Sequence, residues 1–239
     1  YLGLCALGWK IVELLVSRFY GGTRLQKKRW LAAVCALAIA VAGVVNARIL
    51  AVRNETLILP GLTREFRLVF VSDVHLGALT LESDLRRMVE LVNRQNPDVV
   101  LFGGDLVDED MRSVLANGHA RELEALHARL GIYAIPGNHE YFGSIDTIVE
   151  HFSRHGVFYL RDEVILLDES LYIAGRDDRG MRHATVNQRH ALADLLKDTD
   201  TALPLIVADH RPESVAEAVS AGADLLVCGH THRGQLGSA

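Results

Sequence analysis

The sequence predicts a layered α/β domain with its functional site on one rim, preceded by an apolar segment. Three observations predict it. From residue 66 onward, strand-like apolar runs alternate with amphipathic helical stretches. Five of those runs end in short clusters of Asp, His and Asn: Asp73-Val74-His75, Gly104-Asp105, Gly137-Asn138-His139-Glu140, His210 and Gly229-His230-Thr231-His232. Residues 1–53, finally, are set apart by charge, with eight Lys/Arg against one acid, while the remainder carries 17 Lys/Arg against 29 Asp/Glu. A basic start ahead of an acidic body points to membrane topology, and the body has no basic stripe for a nucleic-acid partner.

In the N-terminal part, residues 31–47 are uncharged, with Trp30 at one end and Arg48 at the other. A bilayer span needs about twenty apolar residues, so residues 30–52 form a candidate transmembrane helix if Arg48 snorkels. Residues 1–20 are a weaker candidate, interrupted by Lys10 and Glu13. The basic stretch 21–29 between them is of the kind retained in the cytoplasm, which would place the large domain outside it. A cleaved signal peptide is the competing reading, although Val45 and Ala47 make a poor cleavage site. The chain lacks an initiating Met and is expected to be part of a longer protein. This divides it into an anchor (1–53), a linker (54–65) and a domain (66–239). The three cysteines, Cys5, Cys35 and Cys228, form no pairable framework and read as small buried hydrophobes.

In the body, 66–72 is an apolar strand running straight into Asp73. Helix follows over 81–95, with Leu85, Met88, Val89 and Val92 on one face. Pro97 stops it ahead of a strand at 98–102. Helix 113–129, strand 132–135 and helix 145–154 come next, then short strands at 158–160, 164–167 and 171–174. Helix 187–196, strand 203–208, helix 212–221 and strand 224–228 complete the pattern. Sites of open α/β folds form at the carboxyl ends of strands, where the five clusters fall.

Carboxylate, imidazole and amide oxygen are the donors that hold hard and borderline divalent metals. Taken singly, Asp73 reads as a helix cap, Asp105 and Asp108 as turn residues, and Asn138 as an ordinary turn. Five such clusters in this order, each at a strand end, are not explained that way. His151 and His155 lie i, i+4 on a helix but lack a third ligand, and read as surface residues. Asp177 and Asp178, after the strand at 171–174, read as a simple turn over 175–180, with a loop approaching the site as the alternative.

The order D-x-H, G-D-x-x-D, G-N-H-E, H, G-H-x-H resembles the calcineurin-like metallophosphoesterase superfamily over residues 66–236. The resemblance implies a four-layer α/β/β/α sandwich and hydrolysis of phosphoesters with two divalent metals, Mn²⁺ ahead of Fe, Zn, Co or Mg. It implies Asp73, His75, Asp105 and His232 as ligands of the first ion. Asp105, Asn138, His210 and His230 would hold the second, with Asp105 offsetting the repulsion of cations about 3.5–4 Å apart. His139 would be the histidine free to act on the leaving oxygen, and Asp108 would orient an imidazole. Glu140 has no clear role. The family normally continues with further strands, so part of the second sheet is expected beyond Ala239.

Glu109-Asp110 after Asp108 and Pro136 before Gly137 depart from the protein-phosphatase pattern. Residues 131–141 look more like the bacterial membrane-associated branch, similar to phosphodiesterases and UDP-2,3-diacylglucosamine hydrolases. Arg233 stands where that branch has Gly, and Gln235 keeps its Gln. Tethering to a membrane favours a lipid-linked or envelope phosphoester. The alternatives are a nucleotide or nucleic-acid phosphodiesterase and, in another class, a non-catalytic protein-binding scaffold on the same fold.

Overall fold

The computed structural model describes residues 29–47, 49–108, 111–178 and 189–232. The chain divides into two units, Tyr1–Arg53 and Asn54–Ala239. In the first, the described structure is one helix, α1 (Arg29–Ala47). Val34, Leu37, Ile39, Val41 and Val45 on it are each more than half exposed. Its 19 residues give about 28 Å at the standard rise, just under a hydrocarbon core of about 30 Å. Among the described residues no helix is long and apolar enough to cross a membrane. The expected span at 30–52 is therefore not met: the helix ends at Ala47, and regular helix does not continue over 49–53. The candidate at 1–20 and the basic stretch up to residue 28 lie outside the described residues.

The second unit contains two four-stranded sheets. The first joins β1 (Leu68–Val71), β2 (Val99–Gly103), β3 (Ile132–Ile135) and β4 (Val157–Tyr159), all parallel, with Val69 opposite Val100 and Val100 opposite Ile132. The second joins β5 (Glu163–Leu167), β6 (Leu171–Gly175), β7 (Leu205–Ala208) and β8 (Leu225–Val227). Only the β5–β6 pair is antiparallel.

Strand alternation explains the layers. Val99 and Leu101 of β2 face a core shared with Leu167, Leu171, Ile173 and Ile206 of the second sheet. Val100 and Phe102 point the other way, onto α2 (Glu82–Asn93), α3 (Met111–Asn117), α4 (His119–Leu123) and α5 (Ile145–Arg154). Leu205 and Val207 of β7 face outward against Leu192 of α6 (Leu192–Leu195) and Ala218 of α7 (Val215–Ser220). A strand buried on both faces needs an unbroken apolar run, as β2 has. The result is the expected sequence of helix, sheet, sheet and helix layers.

Helix α2 buries Leu85, Met88, Val89 and Val92, the face the periodicity selects. In α5 the Ser144 hydroxyl caps the Thr147 N–H, and Ile145, Ile148 and Phe152 are buried. Three expectations change in detail. Of the helix expected over 187–196, only Leu192–Leu195 is helical among the described residues. The helix expected at 113–129 is interrupted at Gly118 and ends at Leu123. The helix expected over 212–221 opens with a 3₁₀ turn, Pro212–Ser214.

Candidate metal centre

Five strands deliver the clusters to one rim. Asp73 follows β1, Asp105 follows β2, Asn138 follows β3, His210 follows β7, and His230 and His232 follow β8. Strand-like pairing continues past the strand ends. Asp73 N–H donates to Gly104 O at 3.1 Å, His75 N–H to Asp105 O at 2.9 Å, and Gly229 N–H to His210 O at 3.0 Å. These bonds fix the loops before any metal binds.

Asp73, His75, Asp105, His230 and His232 all adopt left-handed backbone, with φ of 58°, 50°, 52°, 68° and 46°. Asp and His tolerate this region better than most residues, and such strain concentrates at functional sites. In both Asp73-Val74-His75 and His230-Thr231-His232 the outer residues take it, turning both side chains off the strand path.

The glycines of the clusters divide in two. Gly104 has φ +89°. Gly137 and Gly229 serve by having no Cβ: one at Gly137 would lie 2.5 Å from Asp105 N, and one at Gly229 would meet Ser72 Oγ and lie 2.8 Å from Asp73 Oδ2.

The side chains converge in overlapping groups. Ligand atoms of Asp73, His75 and His232 lie within 4.8 Å of one another, as do those of Asp105, His210 and His230. Asp105 Oδ2 stands between them, 3.9 Å from His75 Nε2 and 3.1 Å from His210 Nε2. His75 Nε2 and His232 Nε2 are 3.3 Å apart, and His232 Nε2 is 3.4 Å from Asp73 Oδ1. His75, Asp105 and His139 also form a group. However, His139 Nδ1 is engaged by the Asp108 carbonyl at 2.5 Å, with the Asp108 carboxylate at 3.3 Å. The same Asp108 Oδ1 lies 3.3 Å from His75 Nδ1.

These residues fit divalent ions. Asn138 Oδ1 is buried without a hydrogen-bond partner, a costly state for a polar atom unless an ion takes its lone pair, and His210 Nε2 faces Asp105 Oδ2 at 3.1 Å. His210 Nδ1 is held by Gly103 O at 2.8 Å, which turns Nε2 toward Asp105. Burial pushes the Asp105 carboxyl up, but His210 and the His139 N–H outweigh it and hold it below its ordinary value. Burial pulls His210 down, yet the adjacent Asp105 carries it to about 9. His75 and His230 are lowered, chiefly by burial, and so favour the neutral form that ligates.

Comparison with known proteins matches residues 66–234 to the Calcineurin-like phosphoesterase family. The chain belongs to that family. An uncharacterized metallophosphoesterase of Aquifex aeolicus is 32% identical over 72% of the chain and 65% of its own length. One of Helicobacter pylori is 30% identical over 77% of the chain and 49% of its own length. A Danio rerio protein named as a transmembrane protein with metallophosphoesterase domain is 31% identical over 86% of the chain and 50% of its own length. The chain thus spans about half the length of the last two. Membership in the family implies divalent metal ions, which the grouped ligands suit.

Beyond the expected set, the phosphoesterase domain contains residues that sequence reading passed over. Glu140 is fully buried and accepts four backbone N–H bonds, from Asp105 (3.1 Å), Leu106 (2.7 Å), Val107 (3.0 Å) and Gly137 (2.7 Å). Ser72 Oγ donates to Asp73 Oδ2 at 2.7 Å. Asp177 and Asp178 are buried rather than turn residues: Tyr141 donates its hydroxyl to Asp177, and Arg211 pairs with Asp178. A charged pair directly after an apolar strand was the available signal. The rings of His151 and His155 are tilted by 41° with centroids 4.5 Å apart, and His155 Nε2 is 3.7 Å from Glu124. Among the described residues they join no metal-binding group. Arg233 and Gln235 lie outside the described residues.

Proposed function

We propose that this domain hydrolyses phosphoester bonds using two divalent ions, Mn²⁺ first among them. Asp73, His75, Asp105 and His232 hold one; Asp105, Asn138, His210 and His230 hold the other. The observation that carries this reading is the position of the Asp105 carboxylate between the two ligand groups. Bound there, the ions supply the charge that activates water and neutralises the phosphoryl oxygens.

The protein's own residues orient and protonate. With Nδ1 of His139 committed to the Asp108 carbonyl, Nε2 is left to give its proton to the leaving oxygen, and the Asp108 carboxylate lies 3.3 Å from the same Nδ1. Ser72 and the His230 N–H, at 3.1 and 3.2 Å, fix the rotation of the Asp73 carboxylate.

A membrane setting and a lipid-linked or envelope substrate are part of the same proposal. They are supported by the exposed apolar surface of α1 and by the name of the Danio rerio relative. Retention of the basic stretch 21–29 in the cytoplasm would put the domain on the other side.

The test is hydrolysis of p-nitrophenyl phosphate and bis-p-nitrophenyl phosphate with added Mn²⁺. Asp105→Ala should lose activity and metal together, whereas His139→Ala should lose activity alone. A wild-type protein inactive with every divalent metal tried would sink the reading.

A further inference from the structure

We propose that Arg211 binds a phosphate oxygen of the substrate and favours the dianionic phosphate of a monoester over a diester. This rests on the phosphoesterase reading above. Arg211 directly follows the ligand His210, so its backbone is held as firmly as the metal centre. Its N–H bonds Asp209 Oδ1 at 3.3 Å, and its carbonyl faces Cys228 Sγ at 3.8 Å, beside Gly229 and His230.

Its guanidinium is aimed by a buried carboxylate. Nε meets Asp178 Oδ2 at 2.9 Å and Nη2 meets Asp178 Oδ1 at 3.3 Å, a two-point fork that sets the plane of the group. Asp178 is itself 1% exposed at the side chain, while that of Arg211 is 24% exposed. The remaining nitrogen, Nη1, has no partner among the described residues. The charges of Arg211 and Asp178 reach His230, and that of Arg211 reaches Asp105.

An arginine with one edge locked and the other open is arranged to receive a planar pair of acceptor oxygens without losing much side-chain freedom. A monoester phosphate offers one more negative charge and one more non-bridging oxygen than a diester, so the open edge gains more from it. A purely structural ion pair would leave phosphate binding unaffected when Arg211 is removed.

The experiment is calorimetric titration of the Mn²⁺-loaded protein with inorganic phosphate, using wild type, Arg211→Ala and Arg211→Lys. Metal content and thermal unfolding are measured in parallel. We expect phosphate affinity to fall at least about tenfold in Arg211→Ala and less in Arg211→Lys, which keeps the charge but not the fork. Metal content should be unchanged. Turnover of p-nitrophenyl phosphate should fall several-fold more than that of the bis ester. Phosphate affinity within about twofold of wild type in Arg211→Ala, or no phosphate binding by wild type, overturns the proposal. Arg211-dependent phosphate binding without any ester hydrolysis would instead leave the clamp standing and remove the hydrolase reading.

Discussion

The Glu140 carboxylate accepts the backbone N–H of Asp105 at 3.1 Å across a separation of 35 residues. Oε2 also takes the Gly137 N–H, and Oε1 takes those of Leu106 and Val107. One buried side chain thereby ties the loop after β2 to the loop after β3, and with them Asp105 to Asn138. Glu140→Gln would turn an amide NH₂ toward two N–H donors. The expected loss is about 2–4 kcal/mol of stability, together with weaker metal retention. Denaturant unfolding and metal analysis of the purified variant check both; full metal content at wild-type stability would contradict the tie.

Metal uptake should depend on pH through His210. In the metal-free protein its folded value of about 9 stands above the ordinary 6.5. The pair with Asp105 therefore stabilises the metal-free fold fully below about pH 6.5, and that contribution is lost as pH rises toward 9. The lowered Asp105 carboxyl contributes on its own account above its ordinary value of 3.8 and loses this as pH falls. An incoming ion must displace the His210 proton. Apparent affinity should then rise by up to about tenfold per pH unit between 6.5 and 9, with proton release. Metal titration across that range tests it, and a flat profile would refute it.

Gly137 provides a steric test. A Cβ there would sit 2.5 Å from Asp105 N, against backbone that cannot swing away. Gly137→Ala should displace Asp105 and abolish metal binding while the two cores still form. Circular dichroism beside metal content separates the outcomes: retained secondary structure with lost metal is expected, and unchanged metal would rule out the close approach.

The parts of this molecule legible in the sequence are those specified locally. The face of α2, the bounds of α5 and the double-sided burial of β2 follow from side-chain period and composition. The candidate metal ligands were legible because their types are rare together and fall at strand ends. Glu140, Asp177, Asp178 and Arg211 were not. Each owes its place to a partner distant in sequence, such as Glu140 to residues 105–107 or Arg211 to Asp178, and no periodicity reports such pairings. The left-handed backbone at Asp73, His75, Asp105, His230 and His232 was equally hidden, since it is imposed by the ladder continuing past the strands.

His139 and Asp108 can be separated by the choice of leaving group. His139 Nδ1 is 2.5 Å from the Asp108 carbonyl, so the ring keeps its orientation even when the Asp108 carboxylate is neutralised. His139→Ala should lower kcat by about 10²–10⁴-fold on a poor alkoxide leaving group, which needs a proton. The loss on p-nitrophenolate, a stable anion, should be smaller. Asp108→Asn should show the same ordering with milder losses, because the carbonyl contact survives. Metal content should stay at the wild-type level in His139→Ala, which is not among the seven proposed ligands, and fall modestly in Asp108→Asn, whose carboxylate lies 3.3 Å from Nδ1 of His75. Equal losses on the two leaving groups would assign His139 to phosphate binding rather than proton donation.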